Sequence, residues 1–206
     1  MVFRTARTIS ILLFLAFFHL ATAPCALAED WEMAGTIEDM ARTVLVLRGG
    51  KQFELKPGSE LFEHDTIRTG PIGSAIIKLV DGTTVEVGPN GILSLVDVTF
   101  TPRNARVLLD IGSGLVRVKT GSVGLKNRYG MSITTPKTLV TADNSVLLFS
   151  VEEGLETLEV EWMPPGGPQV MVYNVETKER FETSEANVIF STSDAGSRTN
   201  VTKTGW

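Results

Sequence analysis

The sequence predicts an all-β protein: many short strands in a twisted sandwich or roll, or in a solenoid-like stack, with no substantial helix once the first 28 residues are set aside. Three observations predict it. Short stretches of alternating apolar and polar residues recur along almost the whole chain after Trp31. Turns rich in Gly and Pro separate them at close intervals. No window of ten or more residues carries a helical apolar period.

Residues 1–28 have the pattern of a secretory signal peptide. Arg4 and Arg7 precede an apolar run from Ile9 to Leu20, and Ala26-Leu27-Ala28 forms a small-x-small cleavage site. The run is about a dozen residues, short of the roughly 20 that span a bilayer. Pro24 stands before Cys25, where a lipid-attachment signal carries a small residue. Cleavage after Ala28 would remove Cys25, the only cysteine, so the exported chain is expected to fold from Glu29 without disulfide or thiol. A chain of this size buries roughly 70% of its unfolded surface, enough to stand on its own core. The expected location is periplasmic or secreted.

From Glu29 onward the strands are predicted in order. Thr43–Leu47 and Gln52–Leu55 come first, and Pro57-Gly58 and Thr69-Gly70 mark the next turns. Residues 74–87 give the clearest unit: Ala75, Ile77 and Leu79 share one face, Val85 and Val87 alternate on the return, and Asp81-Gly82 between them predicts a type I′ hairpin. Gly88-Pro89-Asn90-Gly91 leads into Ile92–Val98. Ala105–Ile111 and Leu115–Lys119 flank the turn Gly112-Ser113-Gly114. Met131–Thr134, Ser145–Val151, Thr157–Trp162, Val170–Val175 and Glu179–Thr183 complete the set, with Pro164-Pro165-Gly166-Gly167-Pro168 as the longest turn. Residues 29–190 are expected to form a single all-β domain, and the Ser/Thr/Asn-rich tail 191–206 is expected to fray.

The order of turn residues from 37 to 154 resembles the FecR domain family, all-β modules of the bacterial cell envelope. Gly35 precedes a strand, then come Leu55-Lys56-Pro57-Gly58, Asp65-Thr66-Ile67-Arg68-Thr69-Gly70, residues 74–83 and Val87-Gly88-Pro89-Asn90. Gly114-Leu115-Val116 and Ile133-Thr134-Thr135-Pro136 match the family's later strands, and residues 155–190 read as a β extension. The family's usual Arg-Gly-Thr turn is replaced by Ala142-Asp143-Asn144-Ser145. Read physically, these positions are architectural: glycines where the backbone turns, Asp65 and Asp81 as acceptors for local N–H groups, and apolar residues facing a core. Family members often combine a cytoplasmic part that grips a sigma factor with a membrane helix and this domain outside. Here the leader runs directly into the β region, so the resemblance implies a stand-alone exported module with no direct sigma-factor contact.

Chemistry-bearing residues are sparse. His64 is the one histidine after residue 28, which excludes a Ser/His/Asp triad or a histidine metal cluster and predicts an exposed turn residue. Gly112-x-Gly114 has no following helix to cradle phosphate. Glu152, Glu153, Glu156, Glu159 and Glu161 are the candidates for a carboxylate-based, glycan-active enzyme, although Glu159 and Glu161 read as a solvated strand face. Catalytic residues, cofactors and metals are therefore expected to be none.

Charge is unevenly spread. The chain has 19 basic and 24 acidic residues; without Arg4 and Arg7 the balance is 17 against 24, which argues against nucleic acid as partner. Residues 99–149 nevertheless carry seven basic groups and two acidic ones. Within this basic 103–128 segment Arg117, Lys119, Lys126 and Arg128 form the candidate anion- or partner-binding set, with Tyr129 and Trp162 as stacking surface. Arg117 and Lys119, two apart on a strand, share a face. Asn200-Val201-Thr202 fits a glycosylation acceptor. The expected function is a non-enzymatic envelope binding or scaffold module whose partner is an envelope protein. The alternative is a binding protein for an acidic glycan or lipid surface.

Overall fold

The computed structural model describes residues 32–167, 170–194 and 199–204. The leader 1–28 lies outside the described residues. Among the described residues no helix is long and apolar enough to cross a membrane.

Among the described residues seventeen strands and one short helix follow in chain order. The first nine strands are β1 (Met33–Ala41), β2 (Val44–Arg48), β3 (Lys51–Glu54), β4 (Glu60–Phe62), β5 (Thr66–Thr69), β6 (Ser74–Leu79), β7 (Thr84–Val87), β8 (Ile92–Phe100) and β9 (Ala105–Lys119). Helix α1 (Val123–Lys126) leads into β10 (Met131–Thr134), β11 (Thr138–Thr141), β12 (Val146–Glu152) and β13 (Leu155–Trp162). The last four are β14 (Val170–Asn174), β15 (Arg180–Thr183), β16 (Val188–Ser193) and β17 (Thr199–Lys203).

The pairings define two sheets that share one strand. Sheet I runs β4-β1-β6-β7-β9-β12-β13-β16-β17. Sheet II runs β3-β2-β5-β8-β9-β10-β11-β14-β15. All pairs are antiparallel except β9–β10. After β9 the hairpins alternate between layers: β10–β11 in sheet II, β12–β13 in sheet I, β14–β15 in II, β16–β17 in I. The architecture is thus a sandwich built as a stack of hairpins. It does not close into a barrel, because among the described residues each sheet ends in strands paired on one side only.

Strand β9 sits mid-sheet in both layers because it is one continuous strand, where the sequence suggested two strands and a turn. Residues 105–113 pair with β8 in sheet II, and 114–119 with β7 and β12 in sheet I. The change of layer falls at Gly114, whose φ is +89°. A Cβ there would lie 2.7 Å from the Cα of Gly91, so both the backbone conformation and the close approach require glycine.

Alternation along the strands places one apolar row inside each layer, and the two rows meet in a single core cluster that includes Ile37, Ile67, Ile77, Leu93, Leu109, Ile133, Leu147 and Phe149. Loop 120–130 crosses from sheet I back to sheet II and closes one end of this core with buried Val123. Buried Asp81 holds that loop. Its carboxylate accepts from Thr83 N (2.9 Å) and Thr83 Oγ1 (2.9 Å) and from Val123 N (3.3 Å), while its carbonyl accepts from Ser122 N.

The Asp81-Gly82 hairpin differs from the predicted type I′ turn. Gly82 N donates to Leu79 O and Leu79 N to Thr83 O, a three-residue loop in which Gly82 alone has positive φ, +89°. Asp81 is occupied with side-chain acceptance and keeps an ordinary φ. The two-residue type I′ geometry occurs instead at Gly49-Gly50, with φ of +53° and +73°. The tail also differs: residues 188–193 and 199–203 pair as β16 and β17, since Phe190 is buried and Thr199 hydrogen-bonds Thr192 inside.

Candidate functional site

The four basic candidates are placed on different parts of the fold. Arg117 lies in the sheet I half of β9, opposite Glu86 of β7 and Leu148 of β12. Its Nε donates to Glu161 Oε2 (2.6 Å) and its Nη1 to Glu86 Oε1 (2.9 Å). The Glu161 bond, more than the Glu86 one, pushes the guanidinium pKa further up. One cation thus faces two carboxylates, which turns the expected anion site at Arg117 into an internal ion network on an outer sheet face. Lys119 stands exposed on the same face. Lys126, in α1, places Nζ 3.9 Å from the centroid of Phe100. Arg128 and the exposed ring of Tyr129 project from the loop after α1 into a small cleft that also takes in Arg180 of β15. The structure therefore groups Arg128 with Arg180, a pairing of residues 52 positions apart that no local spacing signals.

The glutamates divide likewise. Glu152 and Glu153 are exposed at the β12–β13 turn, Glu159 sits on the outer face, and Glu161 is tied to Arg117. Trp162 is exposed rather than aligned with buried Leu158 and Val160, because β13 carries an extra residue, Glu161, between the pairs Val146–Trp162 and Leu147–Val160. Glu156 points inward. Its Oε2 accepts from Thr135 Oγ1 and from Lys137 N (3.3 Å), and its Oε1 is buried without a partner among the described residues. The cavity beside it, of about 10 Å³, is lined by threonine hydroxyls and by Phe149, Leu158, Val172 and Phe190. Burial pushes the Glu156 carboxyl pKa up, against the opposing hydrogen bond from Thr135. No second carboxylate lines this cavity among the described residues, so the pair a glycosidase requires is not assembled around Glu156.

At the opposite end of the stack, strands β3 and β4 leave the sandwich open. The Gly49-Gly50 turn makes Arg48 and Lys51 a hydrogen-bonded pair, so Val46–Phe53 is the next one; Leu55 N donating to Val44 O (2.9 Å) fits the same alternation. The N–H and C=O groups of Gln52 and Glu54 therefore face away from β2, along an edge that pairs with no other described strand. Phe53 shares the inward face with buried Val46, yet it is 48% exposed. Beside it lies a groove of about 350 Å³ whose walls include Val46, Arg48, Leu55 and Phe62. His64, with φ +65°, is exposed on the neighbouring turn, as predicted.

No family model matches the chain, and no curated protein matches it. Two crystal structures of a "putative anti-sigma factor" from Parabacteroides distasonis ATCC 8503 share its fold, with TM-scores of 0.53 and 0.52 at 14% identity. Each match covers 67% of this chain and 59% of the other, so the likeness spans well under two thirds of the length of those proteins.

Proposed function

We propose that this chain is a non-enzymatic, exported binding or scaffold module of the cell envelope, FecR-like in kind, which captures an extended segment of an envelope protein along β3. The observation that carries this reading is the open end of the sandwich: an edge of β3 that pairs with no described strand, beside an inward-facing Phe53 that is half exposed. An added strand would satisfy the outward groups of Gln52 and Glu54 and cover the Phe53 ring. The likeness to a "putative anti-sigma factor" supports an envelope-signalling setting. The Ala26-Leu27-Ala28 leader supports contact outside the cytoplasm.

A photo-crosslinking residue placed at Gln52 in the producing cell tests this. It is expected to capture one envelope protein, and Glu54→Pro should reduce the yield about tenfold, because proline removes an outward N–H without breaking the β2–β3 ladder. Equal yield from Glu54→Pro, or capture of a sigma factor instead, overturns the reading.

A further inference from the structure

We propose that the cleft between loop 127–130 and the outer face of sheet II binds the carboxylate-bearing edge of an acidic sugar, a uronic-acid unit of a glycan. Six residues carry the argument: Arg128 and Tyr129 from the loop, Thr141 and Asp143 at the end of β11, Met171 on β14 and Arg180 on β15. The site is independent of the β3 edge.

The loop is fixed before any ligand arrives. Asn127 Nδ2 donates to Ala105 O (3.2 Å), Tyr129 N to Asn127 Oδ1 (3.2 Å), and Gly130 N to Asn127 O (2.7 Å). Gly130 allows this closeness, since a Cβ there would meet Ala105 O at 2.8 Å. Arg128 and Tyr129 are thus held outward on a braced turn, which lowers the ordering cost of binding. Opposite them, Arg180 is engaged through Nη2 with Glu182 in an exposed pair, and such pairs hold a guanidinium weakly.

The groups in the cleft divide the ligand's features among them. Two guanidinium groups suit a carboxylate, which they bind by charge-assisted hydrogen bonds. Asp143 has no hydrogen bond or ion pair among the described residues; its carboxylate packs against Gly124 of α1, where a Cβ would collide with it, and it lines the cleft as an acceptor that suits a hydroxyl donor. The Tyr129 ring, 62% exposed with the Arg128 guanidinium 5.9 Å from its centroid, offers its remaining flat apolar surface to the C–H side of a sugar ring. An acidic peptide would satisfy the arginines but would set its carboxylates against Asp143 with no hydroxyl to donate. The cleft offers about 40 Å³, more than the roughly 10–15 Å³ that one water needs, so it seats the carboxylate while the ring lies across Tyr129.

Calorimetric titration of the folded chain with an oligogalacturonate, its methyl ester and an oligoglutamate decides the matter. The oligogalacturonate is expected to bind saturably and its ester about tenfold or more weakly. Arg128→Gln and Arg180→Gln should each weaken oligogalacturonate binding about tenfold, and Asp143→Asn should weaken it while leaving oligoglutamate unchanged or improved. Both arginines are exposed, and matched thermal melts confirm that their variants fold. Glu54→Pro, which blocks the β3 edge, should bind the glycan like the parent chain. Equal affinity for acid and ester, tighter binding of oligoglutamate, or unaltered binding by the arginine variants overturns the proposal.

Discussion

Arg48 holds Asp65 through two hydrogen bonds, Nε to Oδ1 and Nη2 to Oδ2, each 2.7 Å long, while the Asp65 side chain is fully buried and that of Arg48 is 23% exposed. The guanidinium also covers the Phe62 ring at 4.3 Å, and Phe62 N donates to Asp65 Oδ2 (2.9 Å). The Asp65 bond pushes the Arg48 pKa further up, so this cation stays charged at any working pH. The pair links β2 to the β4–β5 turn below the open end of the sandwich.

The unequal burial predicts unequal costs. Removing the arginine strands a carboxylate that has no route to water, so Arg48→Met should destabilise the fold by about 3–5 kcal/mol. Removing the charge from Asp65 leaves an arginine that can still reach solvent and an amide oxygen that can still accept from Phe62 N. Asp65→Asn should therefore cost less, about 1–3 kcal/mol. Urea unfolding of both variants checks the order. A larger loss from Asp65→Asn would show that Arg48 is not solvated in the variant.

Gly82 and Gly114 share a φ of +89° but differ in surroundings. Nothing lies within 4 Å of a Cβ at Gly82, so Gly82→Val meets only backbone strain and should cost about 1–3 kcal/mol. At Gly114 the same strain is joined by a collision with Gly91 at 2.7 Å. Gly114→Ala, although the smaller side chain, should lower the melting temperature more than Gly82→Ala does. Equal melting temperatures for the two alanine variants would refute the close approach of β9 to the Gly88–Gly91 turn.

The all-β class was legible because alternation is local: Ser74–Leu79 and Met131–Thr134 appear at the bounds that the pattern predicts or within a residue of them. Layer assignment was not. Nothing in Gly112-Ser113-Gly114 distinguishes a turn from a bend within one strand, since glycine serves both; the difference lies in Gly91, 23 residues away. Strand β5 is four residues and β4 three, too short for a period to show, and they form because β1, β2 and β8 supply partners. Site residues followed the same division. The exposed turn of His64 was readable from its neighbours, whereas the neutralisation of Arg117 by Glu86 and Glu161 depends on strands brought together from 31 and 44 positions away.

Glu156 predicts a pH dependence. Its carboxyl is buried with one oxygen unpartnered, so the neutral form is favoured inside and the folded pKa lies above the ordinary value of 4.5. Lys137, whose Nζ pairs with Asp194, pulls the pKa down, and Glu176 pushes it up; both are weaker than the burial itself. The folded state therefore binds this proton more tightly than the unfolded chain. The resulting stability is fully present below the unfolded pKa and is lost as pH rises through the folded one. Glu156→Gln keeps an oxygen for Thr135 and Lys137 N and removes the charge. The variant should exceed the parent chain in stability by about 1–2 kcal/mol at pH 8, and the gap should close as the pH falls toward 4.5. Other carboxylates titrate in the same range in both proteins, so the quantity to follow is the difference between the two urea midpoints from pH 4.5 to 8. A difference that stays constant, or that grows on acidification, would mean that Glu156 is ionised in the fold.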